Sequence, residues 1–512
     1  MIRKILIAGL MALSAAPAGA KWRVASSDHF LIYTEESEAE LTEFAEKLER
    51  FDSAMRFVGM VEAWKPSPSN RLTIYVVPSI SSVRKLFGDT SGNVAGFYLG
   101  RAGRSIAIVP RMSGSGSIYE LGADTVLLHE YAHHFMYQNY VSPVPKWFSE
   151  GYAEFYSTMI AEKDGSVGVG RPALHRSYGL LSRNIISLPE MMSLRSGFKL
   201  SPGKGDSLYG RGWLLAHYLT FDTARRGQLS KYLQLLATGT PGLEAGTQAF
   251  GDLKTLDREL DRYIRRKSLN YLRISPEHLN AGAITVRALR PGEDAVMMSR
   301  IRSEIGVGPE VGARVLADMR RQAAPFPDDP FVQASLAEAE YDIGNYKEAE
   351  AAVDRALAAD PRQADALIYK GRIKMALAAN SSDPEVWKEV RRWFVQANRI
   401  DPEDPEPLIF YYRSFLEQGI RPTETAIDGL IYASDLAREE SGLRMSVARE
   451  HLNRGNAKEA RTLLATIAYR PHGGQMAEAA TAIIAALDSG GAEAALRQWA
   501  QAPEGESEAE GE

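Results

Sequence analysis

The chain has 512 residues, 45% of them hydrophobic, 24% charged and 9% aromatic, with 43 glycines and 25 prolines, enough to bury more than one core and too varied for a fibrous or wholly disordered polymer. Sixty Lys and Arg against 65 Asp and Glu leave a formal charge of −5, and no polybasic block stands anywhere in the sequence, which argues against nucleic acid as a partner. There is no cysteine, so disulfide frameworks, thiolate metal sites, iron–sulfur clusters and cysteine nucleophiles are excluded together, and any metal must be held by histidine and carboxylates.

Arg3-Lys4, an apolar run from Ile5 to Ala16 and the ending Ala18-Gly19-Ala20 read as a secretory signal over residues 1–20, cleaved before Lys21. The mature protein is expected to be periplasmic or secreted. The apolar run is too short for a stable span, no later segment has eighteen consecutive apolar residues, and Lys21 stands where a lipoprotein would need cysteine, so no stable membrane insertion is expected. From Lys21 to about Thr125, β-type runs alternate with helical ones: His29–Thr34, the amphipathic Glu38–Phe57, then Arg71–Val77, Val94–Leu99 and Ser105–Val109. Gly100-Arg101-Ala102-Gly103 predicts a hairpin turn, and Ser113–Ser117 a flexible loop. A long helix is expected near Tyr119–Gln138 and a second from Pro145 to about Glu162, followed by helices at Leu208–Thr220 and Leu229–Leu236. The Gly- and Ser-rich stretch Asp164–Asp206 is a candidate to fold over a cleft.

Beyond about Pro276 the sequence turns Ala-, Glu- and Arg-rich and shows an internal period. Ala337, Gly344, Tyr346, Ala349, Val353, Ala356 and Pro361, within Asp328–Pro361, fall where a tetratricopeptide repeat places small packing residues, the inter-helix turn and the closing proline. A second unit, with Trp387, Phe394, Ala397 and Pro402, closes 41 residues later; against a period of about 34 this implies an insertion near Ala378–Asp383. Tyr412–Ala433 is a weaker unit. Ala448, Gly455, Ala457, Ala460, Leu464 and Pro471 resemble the pattern again, before a capping helix over Met476–Trp499. An ordinary helical bundle is the alternative. Glu504–Glu512 has no apolar residue except Ala509 and is expected to be disordered. The divisions are thus 21–275 for the first domain, 276–326 for a connecting segment, 327–500 for the repeats and 501–512 for an acidic tail.

His129-Glu130-Tyr131-Ala132-His133 carries the chemistry. A spacing of four places both imidazoles on one helix face, where they can bind a single Zn2+ with Glu130 beside its water. In Trp147-Phe148-Ser149-Glu150-Gly151-Tyr152-Ala153-Glu154-Phe155, Glu150 can supply the third ligand and leave one position open. Glu154 can accept a hydrogen bond from the far nitrogen of a ligand histidine and fix its tautomer. The alternative is that the two glutamates form a solvated helix face.

On these residues the chain resembles the gluzincin metallopeptidases, the peptidase MA-like group that contains thermolysin and the aminopeptidase N family. The resemblance spans roughly Lys21–Tyr271. It implies an α+β zincin-like catalytic domain with a mixed sheet and active-site helices ahead of an all-α tetratricopeptide solenoid, one Zn2+ per chain on His129, His133 and Glu150, and Glu130 as general base. Tyr209-Gly210-Arg211-Gly212 is similar to the segment whose tyrosine stabilises the transition state in that group, which implies this role for Tyr209. Sixteen residues separate His133 from Glu150, fewer than in aminopeptidase N relatives, and the Pro143–Pro145 turn can shorten the connection. No segment for capturing a free substrate amine precedes the zinc motif, so the expected activity is that of an endopeptidase acting on a peptide or protein substrate. One strand of the Val94–Val109 hairpin would then be the edge to which an extended peptide adds.

His134 reads as packing or surface, His217 as a satisfied core histidine, and His175 as a residue that can line the cleft. The competing function is a catalytically silent periplasmic scaffold that binds protein partners through its repeats. A metal-dependent hydrolase of non-peptide bonds is the third possibility.

Overall fold

Strands near the N-terminus alternate with helices because their apolar residues switch between periods of two and about 3.6. The computed structural model describes residues 22–62, 65–88, 94–111, 122–140, 143–182, 185–194, 200–470, 474–501 and 510–511. The expected signal segment 1–20 and the Ser113–Ser117 loop therefore lie outside the described residues. Strands β1 (Arg23–Ser26) and β2 (Phe30–Thr34) lead into α1 (Glu38–Gly59), whose start is set by a capping box: Ser37 accepts from the Glu40 N–H and the Glu40 carboxylate accepts from the Ser37 N–H. Next come β3 (Leu72–Val77), α2 (Ile80–Phe87), and the hairpin of β4 (Phe97–Leu99) and β5 (Ile106–Pro110). All six residues of β3 are buried, as a central strand covered on both faces requires. β2, β3 and β5 run parallel, and β4 is antiparallel to β5 with Tyr98 opposite Ala107.

Beside this sheet lie α3 (Ala123–Asn139) and α4 (Lys146–Ser157). Every residue of α3 from Val126 to Tyr137 is buried, the signature of a helix enclosed on all sides. α4 stops well short of Glu162 because the chain turns into β6 (Ile160–Ala161), which pairs with β7 (Val167–Val169). The Asp164–Asp206 stretch is only partly loop: besides β7 it holds α5 (Ser177–Leu181) and α6 (Leu188–Met192). Then follow α7 (Pro202–Phe221), α8 (Gln228–Ala237), α9 (Gly242–Phe250), α10 (Leu253–Tyr263) and β8 (Leu272–Ile274), which completes the small sheet against β7.

Residues 276–326 are not a connector. β9 (Thr285–Ala288) pairs with β1 and forms an edge of the main sheet, while α11 (Pro291–Ile305) and α12 (Pro309–Ala323) begin the helical array. Their Val296, Leu316 and Met319 share a core with Val332 of α13 (Pro330–Asp342), so the stack starts near Pro291 rather than at 327. It continues through α14 (Tyr346–Ala359), α15 (Ala364–Leu377), α16 (Pro384–Ile400), α17 (Pro405–Glu417), α18 (Glu424–Leu436), α19 (Ser441–Asn453), α20 (Ala457–Ala468) and α21 (Gly474–Trp499). Ala337, Ala349, Val353 and Ala356 are all fully buried in one cluster, and residues 378–383, the expected insertion, form the α15–α16 loop. α21 is long and apolar enough in composition to cross a membrane, but it is broken at Gly491, where φ is 72° and ψ −169°, and its Ala480, Ile483 and Leu487 are buried against Leu452 and Leu464 of the preceding pair. Of the acidic tail, 502–509 and 512 lie outside the described residues. Glu510–Gly511, expected to be disordered, forms β10 and pairs antiparallel with Phe97–Tyr98 at the β4 edge.

The two halves are joined through the β4–β5 turn. α11, α13, α15 and α17, the first helices of successive pairs, line a groove that receives Arg101–Arg104, leaving a cavity of about 300 Å3. Arg104 forms an ion pair with Asp365 and lies 3.6 Å from Glu304, and Arg101 donates to the last carbonyls of α11.

α4 and α7 cross at a point where no side chain fits. A Cβ on Gly151 would lie 2.4 Å from the Gly212 carbonyl, and one on Gly212 would lie 2.5 Å from the Trp147 carbonyl oxygen. Gly212→Ala must push the two helices apart and is expected to lower stability by about 1–3 kcal/mol, the usual cost of overpacking, read as a shift of the urea midpoint; an unchanged midpoint would show that the crossing is not rigid.

Candidate metal centre

The candidate ligand side chains come from two helices that face each other. On α3, His129 and His133 are one turn apart, with their Nε2 atoms 3.1 Å from each other. Glu150 of α4 brings Oε2 to 3.5 Å from both Nε2 atoms. All three side chains are buried. A zinc ion with Zn–N and Zn–O bonds of about 2.0–2.1 Å separates neighbouring tetrahedral ligands by about 3.3–3.4 Å. The observed triangle of 3.1, 3.5 and 3.5 Å matches one face of that tetrahedron, so these residues fit a zinc ion with its fourth position open. Among the described residues, this is the one group of three or more His, Asp or Glu with converging ligand atoms. Glu130 follows His129 in the same turn and is itself buried.

Behind the triangle each histidine is held by its other nitrogen. His129 Nδ1 lies 3.3 Å from Glu154 Oε1, and His133 Nδ1 lies 3.3 Å from Ser149 Oγ, which sits 3.4 Å from the Tyr137 hydroxyl. Such contacts set the tautomer that leaves Nε2 free to coordinate. Glu154 also accepts from Arg176 Nε at 2.8 Å and has His175 Nε2 2.7 Å from its Oε2. Burial opposes its ionisation, but the Arg176 charge and the bonds from His129 and His175 outweigh burial and hold the carboxyl well below the usual carboxylate range. With both oxygens occupied in this way, Glu154 holds His129 from behind, while Glu150 faces the two Nε2 atoms. The two glutamates are enclosed, not on a solvated face.

Tyr209, half-buried on α7, has its ring centroid 6.1 Å from that of His129, and the Arg176 guanidinium lies 4.5 Å over the Tyr209 ring. The other histidines divide as expected in two cases. His134 packs on β4 with Nδ1 2.7 Å from the Tyr98 hydroxyl, and His217 is satisfied by the Asn270 carbonyl and the Tyr263 hydroxyl, each at 2.9 Å. Burial lowers both to about 4, so both are neutral at pH 7. His175 is drawn in further than its spacing implied, onto Glu154. Sequence reasoning missed Arg176, Ser149 and Tyr137. Ser149 adjoins Glu150 and Arg176 adjoins His175, but no residue spacing separates such neighbours from ordinary surface or core positions.

Residues 330–373 match the family model for the tetratricopeptide repeat. Among curated proteins none matches the chain. Similar solved structures include a thermophilic TPR protein from Thermus thermophilus, 17% identical over 37% of this chain and 97% of that one, with a TM-score of 0.31. The pilF protein of Pseudomonas aeruginosa is 14% identical over 41% of this chain and 92% of that one, with a TM-score of 0.32. Yeast Tom70 is 12% identical over 63% and 71%, with a TM-score of 0.26. On the family match, the helical half carries tetratricopeptide repeats, a scaffold for protein–protein interaction.

In a zinc titration by chelator competition, Glu154→Gln should bind about 10–100-fold more weakly than the parent, the range typical for partners of ligand histidines. Parent-like affinity would mean that His129 is oriented without Glu154.

Proposed function

We propose that the protein is an exported zinc-dependent endopeptidase of the gluzincin type, with its zinc on His129, His133 and Glu150. The observation that carries this reading is the ligand triangle with Glu130 on the same helix: a purely structural zinc site normally closes with a fourth protein ligand and has no use for a carboxylate base beside it. A bound zinc ion would supply Lewis acidity and a water acidified towards neutral pH. Glu130 accepts the proton from the attacking water and passes it to the leaving amine. The Tyr209 hydroxyl donates a hydrogen bond to the oxygen that becomes negative in the transition state, and Arg176 over its ring keeps the tyrosine turned towards His129. An extended polypeptide would pair along β4, near α3 where Tyr98 meets His134, by taking the place of Glu510–Gly511, which pair there in this structure.

A second reading, a silent scaffold that binds protein through its repeats, is favoured by the family match at residues 330–373. On either reading the groove of α11, α13, α15 and α17 already holds the chain's own Arg101–Arg104 turn, so a protein partner uses another face of the repeats.

The test compares the protein from Lys21 onward with two variants. The parent should contain about one zinc per chain by elemental analysis, and His129→Ala should contain none. Glu130→Gln should keep its zinc while hydrolysis of a fluorescently labelled unfolded protein falls by at least about 100-fold. Zinc without cleavage in the parent would favour the scaffold, and cleavage at the parent rate by Glu130→Gln would remove the general-base assignment.

A further inference from the structure

The C-terminal end of the candidate zinc helix is held by the repeats. α3 ends at Asn139 and leaves its last carbonyls without helical donors. The Tyr140 N–H serves the Met136 carbonyl, while Arg444 Nη2 lies 3.4 Å from the Tyr137 oxygen and Arg438 Nη1 lies 3.4 Å from the Gln138 oxygen. Both arginines belong to the α18–α19 region, some three hundred residues away in sequence, and their charge complements the negative end of the α3 dipole.

A third arginine reaches further. The Arg470 guanidinium, just after α20, lies 4.2 Å over the Tyr137 ring, where a cation is attracted by the face of the ring. It is fixed there by donating to the Glu439 carbonyl and the Ser441 hydroxyl. Tyr137 also stacks on His133, with ring centroids 5.9 Å apart and 10° between planes. The Tyr137 hydroxyl also meets Ser149 Oγ, which holds His133 Nδ1. The ring of a ligand histidine is thus set by a tyrosine that the last repeats clamp from outside.

We propose that Arg470 is a positioning residue for His133, acting through Tyr137, and that the repeats are for this reason part of the metal-binding unit and not a detachable recruitment arm. The inference rests on the zinc reading given above. It does not concern the protein-binding role of the repeats, and it assigns a task to α18–α20 that neither the repeat pattern nor the zinc motif contains.

The experiment measures zinc affinity by chelator competition and the visible spectrum of the cobalt(II)-substituted protein for the parent, Arg470→Ala, Arg470→Lys, Tyr137→Leu and the Arg470→Ala/Tyr137→Leu double variant. Arg470→Ala should bind zinc about 10-fold more weakly, at the lower end for outer partners of metal ligands, and should alter the cobalt bands. Arg470→Lys, which keeps a cation over the ring, should recover part of both. In the Tyr137→Leu background the Arg470→Ala change should cost less than about 2-fold more, because residues acting through one another are not additive. Parent affinity and an unaltered cobalt spectrum in Arg470→Ala would overturn the proposal while leaving the zinc site standing, as would additive losses in the double variant. Absence of zinc from the parent would overturn the zinc reading and this inference with it. If Arg470→Ala fails to fold, Arg470→Gln, which keeps a polar side chain but removes the cation, carries the same test through its cobalt spectrum, and bands identical to the parent's in both energy and intensity overturn the proposal.

Discussion

Two backbones touch where α4 crosses α7, and the geometry of the candidate centre follows from that contact. With glycine at 151 and 212 the helices approach until a single Cβ would collide with main chain, which no pair of larger residues permits. The flanking Trp147 and Trp213 are fully buried and fill the space around the crossing. Glu150 immediately precedes the contact and Glu154 lies one turn beyond it, so the same approach that presses α4 onto α7 presents both carboxylates to α3. Tyr209 stands one turn before Gly212 and is carried to the same side of the crossing. Arg176 then bridges the two helices, with its charge on Glu154 and its plane over Tyr209.

The helical array is wrapped onto this domain and not strung behind it. Arg101 and Arg104 at the tip of the β4–β5 turn enter the groove of α11, α13, α15 and α17, while Ser105 at the base of the turn links the Tyr98 hydroxyl to Glu439 before α19. The groove is rich in carboxylates. Burial, reinforced by neighbouring acidic groups, pushes Glu338 and Asp404 up to about 8, whereas Arg104 is raised above its ordinary value first by the Asp365 charge. A basic turn seated among acidic side chains is a partner of opposite charge, supplied by the chain itself. Strand β4, helix α3 and the repeats therefore meet in one region, through Tyr98 and His134 on one side and Tyr137 on the other.

Much of this was legible in the residues. The period of four at His129 and His133, the second pair at Glu150 and Glu154, and the small residues Ala337, Ala349, Val353 and Ala356 are local regularities, and local regularities survive whatever the tertiary arrangement does. The weak or mistaken readings concern short or non-local elements. β1, β9 and α2 are brief and carry little periodic signal. β9 exists as a strand because β1, far away in sequence, offers it a free edge on which Arg23 stands opposite Ala288, a fact no window of sequence contains. Residues 276–326 read as a connector for the same reason: α11 and α12 become part of the stack through Val332, which lies outside the segment.

What the sequence by itself determined is which side chains could hold a metal, in which order along the helices, without cysteine and with Glu130 beside the histidine pair. Helical spacing and residue type suffice for that, because both are properties of a few adjacent turns. Only the tertiary structure decided which glutamate faces the histidines and which stands behind them, since Glu150 and Glu154 are equivalent by spacing and differ only in what surrounds them, His129 and His133 Nε2 for one, Arg176 and His175 for the other. It also decided that arginines from the last repeats close the end of α3, a contact between residues some three hundred positions apart that depends on how the whole solenoid curls back and on nothing within either segment.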